Sequence, residues 1–258
     1  MGAAYGAPKA DLWPRWQQHD LSASKIINHP AWAEFLKRYV LSPHASGINR
    51  VRYESVTAGD RKALQEYLRY LQALPISTYN RQEQKAYWIN LYNALTVELI
   101  LAHRPVQSIR EIDISPGWFS VGPWGAKLAT IEGEKVSLDD IEHRILRPIW
   151  KDNRVHYAVN CASLGCPNLS SEAYTGRNLE RLLTQGARDY VNHPRGAIFK
   201  EGRLQVSSIY IWFQEDFGGS KEGVIEHLRE HATGHLTEQL RAYRGNLRHD
   251  YDWKLNAP

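Results

Sequence analysis

The apolar pattern that follows Asn80 limits the possible folds more than any other feature of the sequence. Apolar side chains recur there every three or four positions, at Trp88, Leu91, Leu95, Leu99 and Ala102. This is the spacing of residues on one face of an α-helix. Asn80, with Glu83 three positions later, is typical of a helix N-cap, and Pro105 is a stop signal. The sequence therefore predicts a long helix between these two signals.

Helical patterns also dominate the rest of the chain. One helix is predicted from Pro30, and another is predicted after the cap formed by Thr57 and Asp60. A short helix is expected over 138–147 and is expected to end at Pro148. Further helices are predicted from about residue 175 to residue 243.

Strands are predicted in three places. Residues 127–137 and the segment around Glu201-Gly202 have the pattern of hairpins. Residues 154–161 alternate in polarity like a strand. No repeat or linker is found, so we expect one α+β domain over 1–258, rich in helices and with a small antiparallel sheet. It would comprise a helical part at 1–79, a core at 80–243 and a tail at 244–258.

The charge and hydropathy of the chain argue against two classes of partner. Lys and Arg number 32 against 28 Asp and Glu, and no long run of like charge occurs, so we expect no nucleic-acid partner. The most apolar stretch, 94–102, is interrupted by Glu98, so we expect no transmembrane segment.

The two cysteines lie in one loop and allow three interpretations. Cys161 and Cys166 are too few for a disulfide framework or a paired CxxC zinc module. The first interpretation is that they are reactive thiols, the second that they form a disulfide closing a small loop, and the third that they are inert buried thiols. In the reactive case Cys166 is the expected nucleophile, because Pro167 favours a helical turn over 168–171 whose N–H groups would stabilise a thiolate. On the predicted strand, Cys161 points to the same face as Val155, because the two residues are an even number of positions apart. It is therefore expected to be buried.

The candidate bases lie upstream of both cysteines. His143 stands three positions after Asp140 on the predicted helix, so Asp140 could orient it as a general base. The alternative is a solvated face with an Asp140–Arg144 pair. His156, on the predicted strand, is a second candidate base, and Glu142 is a candidate orienting carboxylate that needs a cationic partner.

The remaining candidates would bind substrate. Asn90 and Asn93 lie one turn apart in an apolar helix, where they either line a pocket or hydrogen-bond a neighbouring loop. The aromatic and glycine-rich residues 118–125, with Trp118 and Trp124, would form a lid, and Asp216 would orient a histidine or accept backbone N–H groups. His143, His156, Cys161 and Cys166 lack a recognised metal-ligand spacing. We therefore predict no metal and no cofactor.

Four blocks of the sequence, in this order, resemble the bacterial and plant family of unknown function numbered 547. They are YWINLYNAL at 87–95, SLDDIEHRILR at 137–147, RVHYAVNCASLGCP at 154–167 and WFQEDFG at 212–218, with a similar YDWKLN at 251–256. The resemblance covers about 80–243. It implies a relation to papain-like thiol hydrolases, in a permuted arrangement because both histidines here precede the cysteines. It also implies export to the periplasm or beyond, with the cytoplasm as the alternative location.

Two hypotheses about function follow. The first is a thiol-dependent hydrolase or acyltransferase that acts on an amide or thioester in a small molecule or peptide. Cys166 is its expected nucleophile, and backbone N–H groups of the cysteine loop would hold the oxyanion. The second is a non-catalytic binding or scaffold protein with a Cys161–Cys166 disulfide.

Overall fold

The computed structural model describes residues 8–117 and 121–258. The α-helices within these residues are α1 (Pro30–Tyr39), α2 (Ala58–Ala73), α3 (Arg81–His103), α4 (Arg147–Trp150), α5 (Leu179–Val191), α6 (Ile209–Trp212), α7 (Lys221–His231) and α8 (Gly234–Arg241). The strands are β1 (Val40–Leu41), β2 (Arg50–Val51), β3 (Ala129–Ile131), β4 (Glu134–Val136), β5 (Ala197–Lys200), β6 (Arg203–Ser207) and β7 (Arg248–Asp250). The prediction of a helix-rich α+β fold is confirmed.

The predicted long helix is α3, and it is buried on nearly every side. The side chain of Asn80 accepts hydrogen bonds from the backbone N–H groups of Gln82 and Glu83, as its N-cap position predicts. Helix α2 begins at the predicted cap, where Thr57 accepts from the N–H of Asp60. Helices α1 and α2 pack with α3 in the larger of two hydrophobic clusters.

The three sheets are small, and one pairing was not expected. β1 pairs with β2, β3 with β4 and β5 with β6, all antiparallel. The last two pairs are the predicted hairpins. β7 joins β6 in parallel, which brings the C-terminal segment 251–256 against the cysteine loop.

The predicted strand at 154–161 is wrong. Residues Asn153–Tyr157 form a 3₁₀ helix, because the side chain of Asp152 accepts the N–H of Arg154 and caps its first turn. His156 and Tyr157 are both buried in this tight helix, so the alternation in polarity did not indicate an inner and an outer face.

The predicted end of the helix at 138–147 is also wrong. Ser137 and Asp140 form the expected cap, but the segment is a π-helix, Asp140–Leu146, that continues into α4. Pro148 lies inside this continuous helix. Its missing N–H leaves helical carbonyl oxygens without a partner one turn back, and those of His143 and Arg144 accept instead from the backbone N–H groups of Asp11 and Trp13. Proline therefore continues the helix here instead of ending it.

Two buried asparagines join α3 to the segments that carry the site. The amide of Asn93 donates to the carbonyl oxygen of Ala158 at 2.9 Å and accepts from the N–H of Asn160 at 2.8 Å. Asn90 makes the same reciprocal pair with the backbone of Tyr174. Both amides therefore connect segments of the chain.

None of the helices within the described residues is both long enough and apolar enough to cross a membrane.

Replacing Asn93 should test its connecting role. In Asn93→Ala two buried backbone groups lose their partners, so we expect the free energy of unfolding to fall by about 3 kcal/mol. Urea denaturation measures this change. The control is Asn246→Ala at an exposed position, which should change stability by less than about 0.5 kcal/mol. Equal small effects in both variants would contradict the connecting role.

Candidate functional site

A cleft of about 830 Å³ opens where the two hydrophobic clusters of the fold meet. Its walls contain most of the predicted site residues, namely Cys161, Cys166, His143, His156, Glu142 and Trp124. Asn90, Asn93 and Asp216 do not line it, and Trp118 lies outside the described residues. The structure therefore brings the predicted thiols and imidazoles to one cavity.

Both cysteines are free thiols, but their environments are the reverse of those predicted. Cys161 is partly exposed and Cys166 is buried. The predicted helical turn at 168–171 is wrong, because these residues are an irregular loop. Cys166 therefore has no helix N-terminus to stabilise its thiolate. Instead, its sulfur accepts the N–H of Cys161 at 3.0 Å and its S–H points to the carbonyl oxygen of Val159.

The sulfur of Cys161 has oxygen donors around it. The hydroxyl oxygen of Tyr251 lies 3.1 Å from this sulfur, and the hydroxyl oxygen of Ser163 lies 3.2 Å from it. Burial opposes ionisation, but hydrogen bonds from Cys166, Ser163 and Tyr251 lower the pKa of Cys161 below its ordinary value. Burial and the neighbouring Cys161 raise the pKa of Cys166 well above it. Cys161 is therefore the thiol that ionises first.

The backbone next to Cys161 is held in an unusual conformation. Ala162 has a φ of +59°, in the left-handed region that costs free energy for a residue with a Cβ. The side chain of Asn160 holds this turn, since it accepts the N–H of Ala162 and donates to the carbonyl oxygen of Pro167. The loop is therefore rigidly closed behind the partly exposed sulfur.

The loop's N–H groups are largely occupied, which contradicts the expected oxyanion site. The N–H of Leu164 donates to Lys254 and that of Gly165 donates to Asp252, both at 2.8 Å. A Cβ on Gly165 would lie 2.8 Å from the backbone nitrogen of Asp252, so glycine is needed for this close approach. The C-terminal segment thus takes donors that the first hypothesis assigned to substrate.

His156 lies between two carboxylates in the same cleft. Its Nε2 lies 2.7 Å from an oxygen of Asp216, and its Nδ1 lies 3.6 Å from an oxygen of Glu142. Burial favours neutral imidazole, but these two carboxylates outweigh it and raise the pKa of His156. The second role considered for Asp216, to orient a histidine, is the one observed. A ring that is protonated between two carboxylates has no nitrogen free to accept a proton, so this arrangement does not favour His156 as the base.

The two carboxylates around His156 stay ionised despite their burial. Glu142, which needed a cationic partner, lies between His143 and His156, and its pKa is lowered to about 2. Asp216 also accepts from the guanidinium of Arg147, and its pKa is lowered to about 2. Arg147, His156 and the two carboxylates therefore form a charge-balanced network in this wall.

His143 is neutral and presents a proton. Burial lowers its pKa to about 4, against the attraction of Glu142. Arg147 donates to Nδ1 at 3.0 Å, so the proton of the neutral ring is on Nε2, 3.6 Å from an oxygen of Asp139. His143 has no free basic nitrogen, which contradicts the role predicted for it. Its expected partner Asp140 binds Lys127 and Arg144 instead. The Asp140–Arg144 pair of the alternative is therefore present, but Asp140 and His143 are buried and the face is not solvated.

Asp139 is the site residue that the sequence analysis missed. It lines the cleft, and burial together with repulsion from Glu142 and Asp140 raises its pKa to about 7. A carboxyl group with this pKa can donate or accept a proton at neutral pH. The crowding of three carboxylates into residues 139–142 was the available sequence signal, because like charges raise one another's pKa.

Tyr92 connects the thiol wall and the acidic wall. Burial raises the pKa of its hydroxyl group, and the charges of Glu142, Cys161, Cys166 and Asp139 raise it further. All four groups therefore lie near this buried phenol, which itself lines the cleft. No hydrogen bond joins His143 or His156 to either sulfur within the described part of the chain. Among the residues that the structure describes, the thiols and the acid–base groups therefore line one cleft without direct hydrogen bonds between them.

Aromatic rings form the rim of the cleft. The ring of Trp253 lies 5.8 Å from that of Trp124 and 5.6 Å from that of Trp212. Trp124 thus lies at the cleft, as expected of the predicted lid, although residues 118–120 are outside the described range. Arg110 stacks on Trp253 at 5.3 Å.

The comparison with known proteins gives a family but no activity. No curated protein and no solved structure matches the chain. Residues 76–191 match the model of a family described as "Protein of unknown function, DUF547". This range contains the cysteine loop and the histidines but excludes Asp216 and Tyr251. The resemblance noted in the sequence is thus confirmed over residues 76–191, which match the model of the DUF547 family.

Proposed function

We propose that the protein is a thiol-dependent hydrolase or acyltransferase that acts on an amide or thioester, with Cys161 as its nucleophile. The observation that carries this proposal is the partly exposed sulfur of Cys161 in the cleft, with hydroxyl groups of Tyr251 and Ser163 beside it. Hydrogen bonds to a thiolate favour the ionised form, which is the nucleophile. Cys166, which was predicted for this role, is buried and holds its proton.

A thiol whose pKa is lowered by neighbouring hydrogen-bond donors can ionise without a histidine in contact. The thiolate of Cys161 attacks the substrate's carbonyl carbon, and the bond from that carbon to the leaving nitrogen or sulfur breaks. Asp139 in its acid form gives its proton to the leaving group. The resulting carboxylate then takes a proton from water or from an acceptor nucleophile, whose oxygen or nitrogen displaces the thiolate. Asp139 is thereby protonated again, and the thiolate is restored.

The neutral His143 supplies an electrophilic donor in this mechanism. Its Nε2–H belongs to a ring that lines the cleft, and a neutral imidazole can stabilise a developing oxyanion by hydrogen bonding. Arg147, which donates to Nδ1, holds this tautomer in place. His143 therefore replaces the backbone N–H groups that the C-terminal segment occupies.

The aromatic rim indicates the kind of acyl group. Trp124, Trp212 and Trp253 offer flat apolar surfaces at the entrance to the thiol. Such surfaces bind apolar or aromatic groups by burying their area and by stacking. We therefore expect activity on acyl groups with an apolar or aromatic body.

Alkylation rates test which thiol is the nucleophile. With iodoacetamide, we expect Cys161 to react at least about 10-fold faster than Cys166 at neutral pH, with an apparent pKa below the ordinary value of about 8.5. Peptide mass spectrometry across pH measures both rates. Faster labelling of Cys166 would contradict the assignment. An intact mass two hydrogens lighter, with no labelling, would favour the binding or scaffold alternative with its disulfide.

Replacing Tyr251 tests the cause of the lowered pKa. A hydrogen bond to a charged group contributes about 1.5 kcal/mol, so in Tyr251→Phe we expect the apparent pKa of Cys161 to rise by about one unit. The control is Tyr243→Phe, because that hydroxyl group donates to the carbonyl oxygen of Asn246. The same alkylation assay serves. An unchanged pKa in Tyr251→Phe would show that this phenol does not stabilise the thiolate.

Replacing Asp139 tests the proton donor. Its pKa of about 7 in the folded protein exceeds the ordinary value, so the wild-type protein loses stability as pH rises from about 4 through 7. Asp139→Asn lacks this loss. We therefore expect the variant to gain stability relative to wild type over that range, by about 1 kcal/mol at this half-exposed position.

The activity of Asp139→Asn should fall, whereas its stability should rise. Without the donor, hydrolysis of an aromatic acyl thioester should fall by about 100-fold or more. The control Asp113→Asn changes an exposed aspartate outside the cleft and should preserve both the activity and the pH dependence of stability. Full activity in Asp139→Asn would contradict the proposed role of Asp139.

A further inference from the structure

Helix α7 carries two histidines and a glutamate at one end, away from the cleft. His227 and His231 are separated by four positions, so they lie on the same face of the helix, and Glu230 lies three positions after His227. One ligand atom from each of the three side chains can be chosen so that all lie within 4.8 Å of one another. The prediction of no metal rested on His143, His156, Cys161 and Cys166, and these three residues were not among them.

We propose that His227, Glu230 and His231 form a binding site for a divalent transition-metal ion, with zinc as the best fit. Two imidazoles and a carboxylate are ligands that zinc accepts, and three protein ligands leave one position for water. Pairs of histidines with this spacing bind zinc on helices of other proteins. The site has no assigned role, and the proposal is independent of the thiol chemistry.

Hydrogen bonding orients His227 for this role. The hydroxyl group of Tyr157 donates to Tyr210 and lies 2.6 Å from Nε2 of His227, so it accepts the proton of that nitrogen. The lone pair of His227 is then on Nδ1, and Nδ1 is 3.9 Å from an oxygen of Glu230. A partner on the second ring nitrogen is the usual way in which metal-binding histidines are oriented. The ring also stacks on Tyr157, which restricts its motion.

His231 and Glu230 can adjust to an ion. Bonds of about 2.1 Å in a tetrahedron place ligand atoms about 3.4 Å apart, so the observed spread requires a movement of about 1 Å. Glu230 is exposed and His231 is partly exposed at the end of α7. The ring of His231 has no hydrogen-bond partner within residues 8–117 and 121–258. Asn153, which donates to Nδ1 of His227 at 3.1 Å, would have to release this bond.

The charges around the site allow an ion to bind. Arg154 and Arg188 lie close enough to oppose a cation, while Glu230 and Asp152 offset them. Arg154 is itself paired with Asp152 and Glu180.

Zinc and cobalt titrations of the full chain, with any affinity tag removed, test the proposal. We expect one Zn²⁺ per chain in competition with a chromogenic chelator, and visible Co²⁺ absorption that zinc displaces. His231→Ala should weaken binding by more than about 10-fold, because losing even an outer-shell partner of a ligand costs that much. Glu230→Gln should weaken it in the same direction.

The controls separate this site from adventitious binding. His235→Ala removes an exposed histidine four positions further on, and Glu226→Gln removes a glutamate that pairs with Arg229. Both should bind zinc as the wild-type chain does. Circular dichroism without metal verifies that each variant is folded. Absence of stoichiometric binding, or equal affinity in His231→Ala and His235→Ala, would overturn the proposal.

Discussion

The paired hydrogen bonds of the buried Asn93 amide hold the candidate site in its geometry. They fix the backbone at Ala158 and Asn160, where the 3₁₀ helix passes into the cysteine loop. The adjacent residue on α3, Tyr92, lines the cleft between the thiols and the acidic wall. One turn of α3 thus positions both the cysteine loop, through Asn93, and the middle of the cleft, through Tyr92. The position of the thiols relative to the acidic wall therefore depends on the Asn93 amide.

In the acidic wall, formed by Glu142, Asp216 and Asp139, two carboxylates stay ionised and the third can transfer a proton. Arg147 and His156 supply two cations and Glu142 and Asp216 supply two anions, so this buried network is balanced and its members stay ionised. Asp139 lies beside the network, without a cation as strong as Arg147 next to it. Its carboxyl group therefore keeps its proton up to about pH 7. The cationic neighbours that keep Glu142 ionised leave a negative charge beside Asp139, and that charge helps to make Asp139 a titrating acid. Asp139 titrates near neutral pH because Glu142, whose pKa is about 2, stays ionised and does not take up the proton in its place.

Local signals predicted the helices well and the chemistry of the site less well. The caps at Asn80 and Thr57 act between residues close in the chain, so the pattern alone located α3 and α2. The strand expected at 154–161 failed because a side-chain cap at Asp152 outweighed an alternation in polarity. The roles of Cys161 and Cys166 were reversed, because Tyr251, ninety positions away, lies 3.1 Å from the sulfur of Cys161 and Cys166 is the more deeply buried thiol. Spacing along the chain carries no information about such a contact.

Tyr251, a hydroxyl partner of the Cys161 sulfur, lies outside the range that matches the family model. Tyr251 reaches Cys161 because β7 pairs in parallel with β6 and leads the C-terminal segment over the loop, whereas the family match ends at residue 191. A fragment that stops there would retain both thiols, Asp139 and His143, yet it would lack the phenol beside the sulfur. Two proteins that share only this matched range could therefore contain the same cysteines and differ widely in thiol reactivity.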